Sequence, residues 1–593
     1  MSIFGNDILA AANAAPVAQP VTGGLGSDDI LAQSGAISTD VALNVPGMAR
    51  PYLPHQGAAH VACNSAIDRF GCALLGDDMG MGKTQVMMAL AAERIDAGGY
   101  AIMIAPPVAL AGYKSDLAAA FPHLRLSHLR GRKPERECVR CHASMVPGTE
   151  RYCATDGGDC TPTVRIPEVA DVYFLSDDPQ SLKAWLVTEH KLISGKVRLE
   201  GNAFTTGAAI LCRDEIHRDK GQQGQAKGVR AQTMMAVGQA LRDAGIPIVG
   251  ATGTLLTNRP VEGMIPLQIL GGEALVLAVT PGAHKPSGFL WRYCAPQQQY
   301  IPGRGTVTNF GGVDMAQMAN LHEYLRRTVY VRREKSDLGE GVLPHSGWSI
   351  VPIALNGVMT RYDRLARDFL NTVLAEEGPD AYWRKARAEV VQQMMALWQE
   401  AGRAKAAAAC EYVTNLTDQG RQVVVFYHHD AARDALLAAL AKDGTSYTVI
   451  AGSVTGPARE AAIAEFQRGD AMVMMAQHGA AGIAVTLTAA ADACFLQVPW
   501  AAGTIKQCAD RILRVDDRTR ARADAGERVT WHVLQAAYAD GTPTFDMAMW
   551  DVLERKAAVC DAVNAGKPVT MSDDDIYRAA LEAWYPAAQA HYR

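Results

Sequence analysis

Much of what this sequence says first, it says by absence. No stretch reaches the roughly 18 consecutive apolar residues that a membrane helix needs, so no membrane span and no membrane partner is expected. The opening residues, MSIFGNDILAAANAAP, lack the basic lead and long apolar core of a secretory signal. A cytoplasmic protein is the expectation. Positive charge is not in excess: 57 Lys and Arg stand against 62 Asp and Glu, for a net charge of −5. A polyanionic partner would therefore have to be held by local stripes of Arg and Lys, because there is no global basic field. Twelve cysteines in 593 residues are too few for a disulfide scaffold. Aromatics are sparse at 7%, while hydrophobic residues at 49% and charged residues at 20% are ordinary for a globular chain.

What is present has a clear texture. Residues 1–48 are rich in Ala, Gly, Pro, Ser and Asp and read as a disordered arm. From Pro51 onward, short apolar runs alternate with amphipathic stretches, the signature of βαβ units and a parallel α/β fold. Strands are expected at CALLG (72–76), AIMIAP (101–106), VYFLS (172–176), AAILC (208–212) and IPIVGAT (246–252). A second series is expected at VVVFYH (423–428), YTVIAG (447–452), AMVMMA (471–476), ACFLQV (493–498) and VTWHVL (529–534). Between the two series, residues rich in Ala, Arg, Glu and Leu read as helical. The organisation expected is a first lobe over 49–345 with an insertion at 130–165, a helical segment over 346–418, a second lobe over 419–565 and a helical tail over 566–593.

The strongest local signal is GDDMGMGKT (76–84), placed after a strand and before the helical stretch TQVMMALAAERI. Glycine allows backbone N–H groups to wrap a phosphate, and the following helix start adds its positive dipole. Gly80, Met81 and Gly82 would supply those amides, Lys83 would reach the β- and γ-phosphates, and the Thr84 hydroxyl would ligate Mg²⁺. Asp77 stands where the general phosphate-loop pattern has glycine, so a tight turn opening a helix is the competing reading. At AAILCRDEIH (208–217) a buried-type strand ends in two carboxylates. Asp214 is placed to hold Mg²⁺ through water and Glu215 to orient and deprotonate an attacking water. His217 would couple this site to a neighbouring loop. VGATGTLLTN (249–258) then runs a strand into a turn where Thr252 and Thr254 could sense the nucleotide state.

Cys138, Cys141, Cys153 and Cys160 form a C-x₂-C-x₁₁-C-x₆-C pattern. A C-x-x-C knuckle places two thiolates on Zn²⁺, so a structural zinc stapling a loop-rich insertion is the reading taken, with His142 as an alternative fourth ligand. Unligated cysteines in a surface insertion are the other reading. The basic run YLRRTVYVRREK (324–335) could face phosphates or be a solvated helix and lobe-edge strand. His428-His429-Asp430 is read as loop hydrogen bonding in preference to a metal site. Trp291, Trp383 and Trp398 are read as packing residues.

Taken in order, the phosphate loop, DEIH and TGTLLTN resemble the Swi/Snf-like ATPases of helicase superfamily 2. In that family the loop usually reads D-E-M-G-x-G-K-T, so Asp77 is the family form. LPHQ (53–56) is similar to its glutamine motif, and the resemblance implies that Gln56 reads the adenine edge. IAPPVALAGYKSDL (104–117) looks like motif Ia, with Tyr113 where tryptophan is frequent, and ADVYFLSDD (170–178) resembles the DNA-contacting Ib region. VVVFYHHDAARDALL (423–437) looks like motif IV in the F-x-H-H form of the annealing-helicase branch. GAAGIAVTLTAAAD (479–492) resembles motif V, with Ala484 at a usual glycine. IKQCADRILRVDD (505–517) looks like motif VI: Gln507, Arg511 and Arg514 match, whereas Leu513, Asp516 and Asp517 do not. The resemblance spans about residues 50–565.

It implies two RecA-like parallel-sheet lobes in tandem, ATP and Mg²⁺ as cofactors, and Arg511 and Arg514 as guanidinium groups meeting the phosphates, beside Gln507. It implies a monomeric motor on double-stranded DNA that rewinds DNA or displaces bound protein in replication, recombination or repair. An RNA or single-strand helicase, and a non-hydrolysing scaffold of the same fold, are the alternatives. A bacterial or phage source is the setting that the compact form suggests.

Overall fold

The computed structural model describes residues 45–592 apart from 97–98, 130–135, 139–143, 146–161, 167–169, 183–197, 200–201, 204–207, 254, 256–258, 302, 304, 311, 355–359, 455, 482–484, 501, 539–541, 543 and 565–575. The expected arm falls outside these residues except at 45–48. Cys141, His142, Cys153, Cys160, Thr254 and Ala484 also fall outside them, and Cys138 is described by its backbone alone, in the short strand Arg136–Cys138. The chain divides into two compact units, Met1–Leu338 with Ala562–Val569, and Gly339–Asp561 with Thr570–Arg593.

The first unit is built on strands β1 (Cys72–Leu75), β2 (Tyr100–Ala105), β3 (Leu126–Leu129), β4 (Val172–Ser176), β5 (Ala208–Asp214), β6 (Ile248–Ala251) and β7 (Tyr330–Val331). They form a seven-stranded parallel sheet in the order β7-β1-β6-β5-β2-β4-β3. β1, β2 and β4 are buried at every position, the continuous apolar character that a sheet covered on both faces demands. Two strands that come later in sequence, β6 and β5, lie between β1 and β2. The crossover from β1 therefore leaves a crevice at the carboxyl ends of the strands, where parallel α/β sheets bind ligands.

Helix α1 (Pro54–Phe70) precedes β1, with Pro54 at its first turn and Gly71 closing it in the left-handed conformation at φ 71°. α2 (Lys83–Asp96) follows the phosphate loop, α3 (Leu110–Ala120) follows β2, and α4 (Val229–Asp243) precedes β6. Among the described residues one helix, Val261–Ala278, is long and apolar enough to cross a bilayer, and 67% of it is buried inside the protein.

The second unit has β8 (His345–Ala354), β9 (Val423–Tyr427), β10 (Tyr447–Ile450), β11 (Val473–Gln477), β12 (Asp492–Phe495) and β13 (Arg528–Ala537). These form a six-stranded parallel sheet in the order β8-β13-β12-β9-β11-β10. Two parallel sheets in series resemble tandem RecA-like lobes. Every strand expected from the sequence is present, with ends moved by a few residues.

The division of the chain differs from the expected one near residue 345. The expected first lobe ran to 345 and the next residues were read as helical, whereas β8 pairs residue by residue with β13, from His345 opposite Arg528 to Ala354 opposite Ala537. The reason is non-local: β8 acquires its identity from a partner strand far along the chain. The helical segment itself is α5 (Thr360–Ala375) and α6 (Pro379–Thr417), the latter interrupted at Ala386 (φ −141°, ψ 46°). Val390, Met394, Leu397, Trp398 and Ala401 bury one face of α6 in the second unit's core, at the three- and four-residue spacing of an amphipathic helix. The unit also contains helices α7 (Ala502–Ala509) and α8 (Ile576–Tyr592), with Trp584 of α8 stacked on Phe369 at 5.2 Å.

Candidate nucleotide and coupling site

The loop between β1 and α2 is shaped by glycine. Gly80 and Gly82 have φ of 83° and 82°, a region that side chains rarely adopt. A Cβ at Gly82 would lie 2.1 Å from Gln56 Nε2. Gln56 has two jobs at this point. Its Oε1 accepts from the Leu53 amide at 3.0 Å, as the third residue of a capped helix does, and its Nε2 donates to Met81 O at 3.4 Å. His55 joins it, with Nε2 2.9 Å from the same carbonyl. The start of α1 is thus tied directly to the loop.

Lys83 turns back onto that loop, donating from Nζ to Asp77 O at 2.7 Å and to Asp78 O at 3.1 Å. Desolvation lowers the pKa of its ammonium, and the charges of Glu215, Asp77 and Asp214 oppose the shift. These carboxylates are the ones that β5 delivers. Burial, and then the charge of Glu215, push the Asp214 carboxyl up to about 6. Glu215 adopts the left-handed conformation (φ 52°, ψ 47°), uncommon for a residue with a side chain. Its amide donates to Asp214 Oδ1 at 2.9 Å. His217 Nδ1 lies 3.2 Å from Glu215 Oε2 and 2.8 Å from Thr252 Oγ1, linking the acidic strand end to the strand end of β6. Thr252 is fully buried and its amide donates to Leu75 O at 3.0 Å. Lys83, Asp214, Glu215, His217 and Thr252 therefore converge at the carboxyl ends of β1, β5 and β6. Thr84 stands on the first turn of α2.

Several residues at this site were not assigned a role from sequence. Tyr113 of α3 is buried, edge-on to Phe174 at 5.2 Å. Burial, and then the charge of Asp214, raise its phenol well above the ordinary range. The basic run at 324–335 gives a result that neither reading anticipated. Arg332 and Arg333 are buried and attach β7 to the phosphate loop. Arg332 donates to Gly76 O at 2.8 Å and Gly253 O at 3.3 Å and pairs with Asp78 at 3.2 Å. Asp77 Oδ1 accepts from the Arg333 amide at 2.8 Å. Asp77, which departs from the general phosphate-loop pattern, and its neighbour Asp78 thus hold the loop to a neighbouring strand. Their signal was the pairing of two adjacent acids with two adjacent arginines, far apart in sequence.

In the second unit, Arg511 and Arg514 follow α7 and both reach the segment that follows 482–484. Arg511 is buried, with Nε donating to Gln507 O at 2.8 Å and Nη1 to Val485 O at 3.5 Å. Arg514 is half-buried and donates to Thr486 Oγ1 at 3.0 Å. Gln507 is itself half-buried on α7. His428 and His429 both donate their amides to Gln497 Oε1, at 3.2 and 2.9 Å, and both rings pack on Trp398. Among the described residues no group of three His, Cys, Asp or Glu side chains is arranged to hold a metal. Trp383 and Trp398 are buried, while Trp291 is 54% exposed beside Phe310.

Comparison with known proteins agrees with this arrangement. The Helicase conserved C-terminal domain matches residues 404–516. The mouse protein named DNA annealing helicase and endonuclease ZRANB3 is 25% identical over 398 residues, covering 65% of this chain and 33% of its own length. The Caenorhabditis elegans homolog of SWI/SNF-related matrix-associated actin-dependent regulator of chromatin subfamily A-like protein 1 is 21% identical over 527 residues, covering 88% of this chain and 63% of its own. In these matches the chain is similar to the Swi/Snf-like ATPases of helicase superfamily 2.

The chain spans about a third of the length of the annealing-helicase relatives it matches. A solved Sulfolobus solfataricus SWI2/SNF2 ATPase core in complex with dsDNA aligns over 89% of this chain and 96% of its own at 15% identity, with a TM-score of 0.33, too low to carry weight. The matched domain contains the elements of the second unit that hold Gln507, Arg511 and Arg514.

Proposed function

We propose that this Swi/Snf-like chain is an ATP-driven translocase of double-stranded DNA, working as a monomer, that rewinds or remodels DNA or displaces bound protein in replication, recombination or repair. One observation carries the reading: Lys83, Asp214 and Glu215 converge at the strand ends of one parallel sheet, with His217 bridging Glu215 to Thr252. The site fits a nucleoside triphosphate with Mg²⁺. Glycines at positive φ shape the turn, a side chain at Gly82 would strike Gln56, and two carbonyls hold the Lys83 ammonium where phosphate oxygens could replace them.

In this scheme Lys83 neutralises the β- and γ-phosphates, and Thr84 and Asp214 hold Mg²⁺, which supplies Lewis-acid stabilisation of the transferring phosphoryl group. Glu215 takes the proton of the attacking water. Thr252 and, in the family pattern, Thr254 report the state of the γ-phosphate to the rest of the sheet through His217. Arg511 and Arg514 contribute guanidinium charge to the transition state, Gln507 supports them, and Gln56 reads the adenine. Cys138, Cys141, Cys153 and Cys160 hold one structural Zn²⁺, a proposal supported by their spacing.

The names of the relatives support DNA as the partner. ATPase rate measured without polynucleotide and with duplex DNA, single-stranded DNA or RNA tests the reading. Stimulation by duplex alone is expected. A preference for single strands would make the chain a single-strand helicase, and absence of turnover throughout would make it a scaffold.

A further inference from the structure

Directly before Asp214, on the central strand β5, stands a charged residue that the scheme above leaves idle. Arg213 is completely buried. Its guanidinium grips Asp219 with two parallel bonds, Nε to Oδ2 at 2.7 Å and Nη2 to Oδ1 at 2.8 Å, and Nη2 also reaches Asp177 Oδ2 at 3.2 Å. Asp177, at the end of β4, is buried as well and is approached by Arg218 Nε at 3.2 Å, while Arg230 Nε donates to its carbonyl at 2.8 Å. The remaining donor of Arg213, Nη1, is aimed at the main-chain carbonyl of Asp214.

That carbonyl belongs to the peptide that swings Glu215 into its left-handed conformation. A non-glycine residue is strained there and persists only where its surroundings hold it. From the other side of the same peptide, the Glu215 amide is held by Asp214 Oδ1 at 2.9 Å. Both polar ends of the Asp214–Glu215 peptide are therefore clamped. A buried ion network is seldom worth more to stability than well-packed apolar side chains of the same volume. What an apolar residue at 213 could not supply is a donor held rigidly against the Asp214 carbonyl.

We infer that Arg213 is a positioning residue for hydrolysis: clamped by Asp219 and Asp177, its guanidinium fixes the Asp214–Glu215 peptide and so aims the Glu215 carboxylate at the attacking water. Loss of this clamp lets the peptide turn. The phosphate loop, on the far side of β6 from β5, does not depend on it. The inference rests on the ATPase reading, in which Glu215 is the base.

The test uses the full chain. Removing Arg213 alone would strand two buried carboxylates, so the first variant is the charge-balanced pair R213M/D219N, which leaves Asp177 to Arg218 and Arg230. Steady-state kinetics should show kcat down by about 30-fold, the scale of a misaimed reacting group. The KM for ATP and the affinity for a fluorescent ATP analogue should stay within about threefold, the pattern of an interaction made only in the transition state. A merely structural role would degrade binding and melting temperature together with kcat. A folded double variant with wild-type kcat, or with kcat and ATP affinity reduced in proportion, overturns the inference. If the double variant does not fold, Asp177→Asn leaves the bidentate pair intact and should lower kcat by about fivefold at unchanged ATP affinity; an unchanged kcat there overturns it equally. Wild-type protein without ATPase activity under any condition would instead overturn the functional reading, and Glu215→Gln marks the floor against which the clamp variants are read.

Discussion

The ammonium of Lys83 donates to the main-chain carbonyl of Asp77 at 2.7 Å, so the phosphate loop is closed upon its own lysine. A loop held this way keeps its shape without nucleotide and exchanges two carbonyl contacts for phosphate oxygens on binding. Lys83→Ala should remove hydrolysis by a factor of about a hundred or more, measured as steady-state phosphate release. A normal rate in that variant would remove the phosphate-loop assignment.

Glu215→Gln preserves the size of the side chain and its place beside His217, 3.2 Å away, but cannot accept a proton. Nucleotide binding should survive, while single-turnover hydrolysis falls by about 10²–10⁴-fold. Equal loss of binding and turnover would make Glu215 a structural residue.

The two arginines of the second unit should behave differently. Arg514 is half-buried and leans on Thr486, whereas Arg511 is buried and tied to Val485 O. Arg514→Ala should reduce turnover far more than ATP binding, by about 10³-fold in kcat. Arg511→Ala should also lower the melting temperature, because it strips donors from a buried segment. Calorimetry alongside kinetics separates the two, and a melting temperature unchanged in both variants would argue against this division of roles.

His478 is 2% exposed, and burial holds its imidazole down at about 3. The folded value lies below the unfolded one near 6.5, so as pH falls the unfolded chain takes up a proton that the folded chain refuses. The stability this residue contributes is complete above about pH 6.5 and drains away toward pH 3, amounting to a loss of about 2 kcal/mol at pH 5. Urea unfolding at pH 7.5 and pH 5 should show His478→Leu to be less sensitive to acid than the native chain by that amount. Parallel pH profiles would contradict the effect.

Metal analysis of the purified full chain should find about one equivalent of zinc, bound through Cys138, Cys141, Cys153 and Cys160, and Cys141→Ser should release it. A folded, metal-free sample would return the cysteines to the unligated reading.

Much of the site was legible because its chemistry is local. A strand, two glycines, a lysine and a threonine occur within a dozen residues, and so do a strand and two carboxylates, and backbone geometry alone makes them a loop and a strand end. Asp77 and Asp78 show where that reading stops. In sequence Asp77 is a departure from the general pattern and Asp78 carries no signal; in the folded chain they meet Arg333 and Arg332, more than 250 residues on. The alternating β8 was read as helical territory because β13, which makes it a strand, comes after every other strand of the second sheet in sequence.

The sequence by itself determined the class of fold, the order of the sheets' strands along the chain and which residue types stand at the loop and the acidic strand end, since apolar periodicity and glycine placement act within a few residues of chain. Only the tertiary structure decided that Arg332 and Arg333 face inward, that His217 reaches Thr252, and that Arg213 is shared between Asp219, Asp177 and the Asp214 carbonyl. The physical reason is that a buried charge takes its role from the partner that compensates it, and sequence proximity alone does not identify that partner.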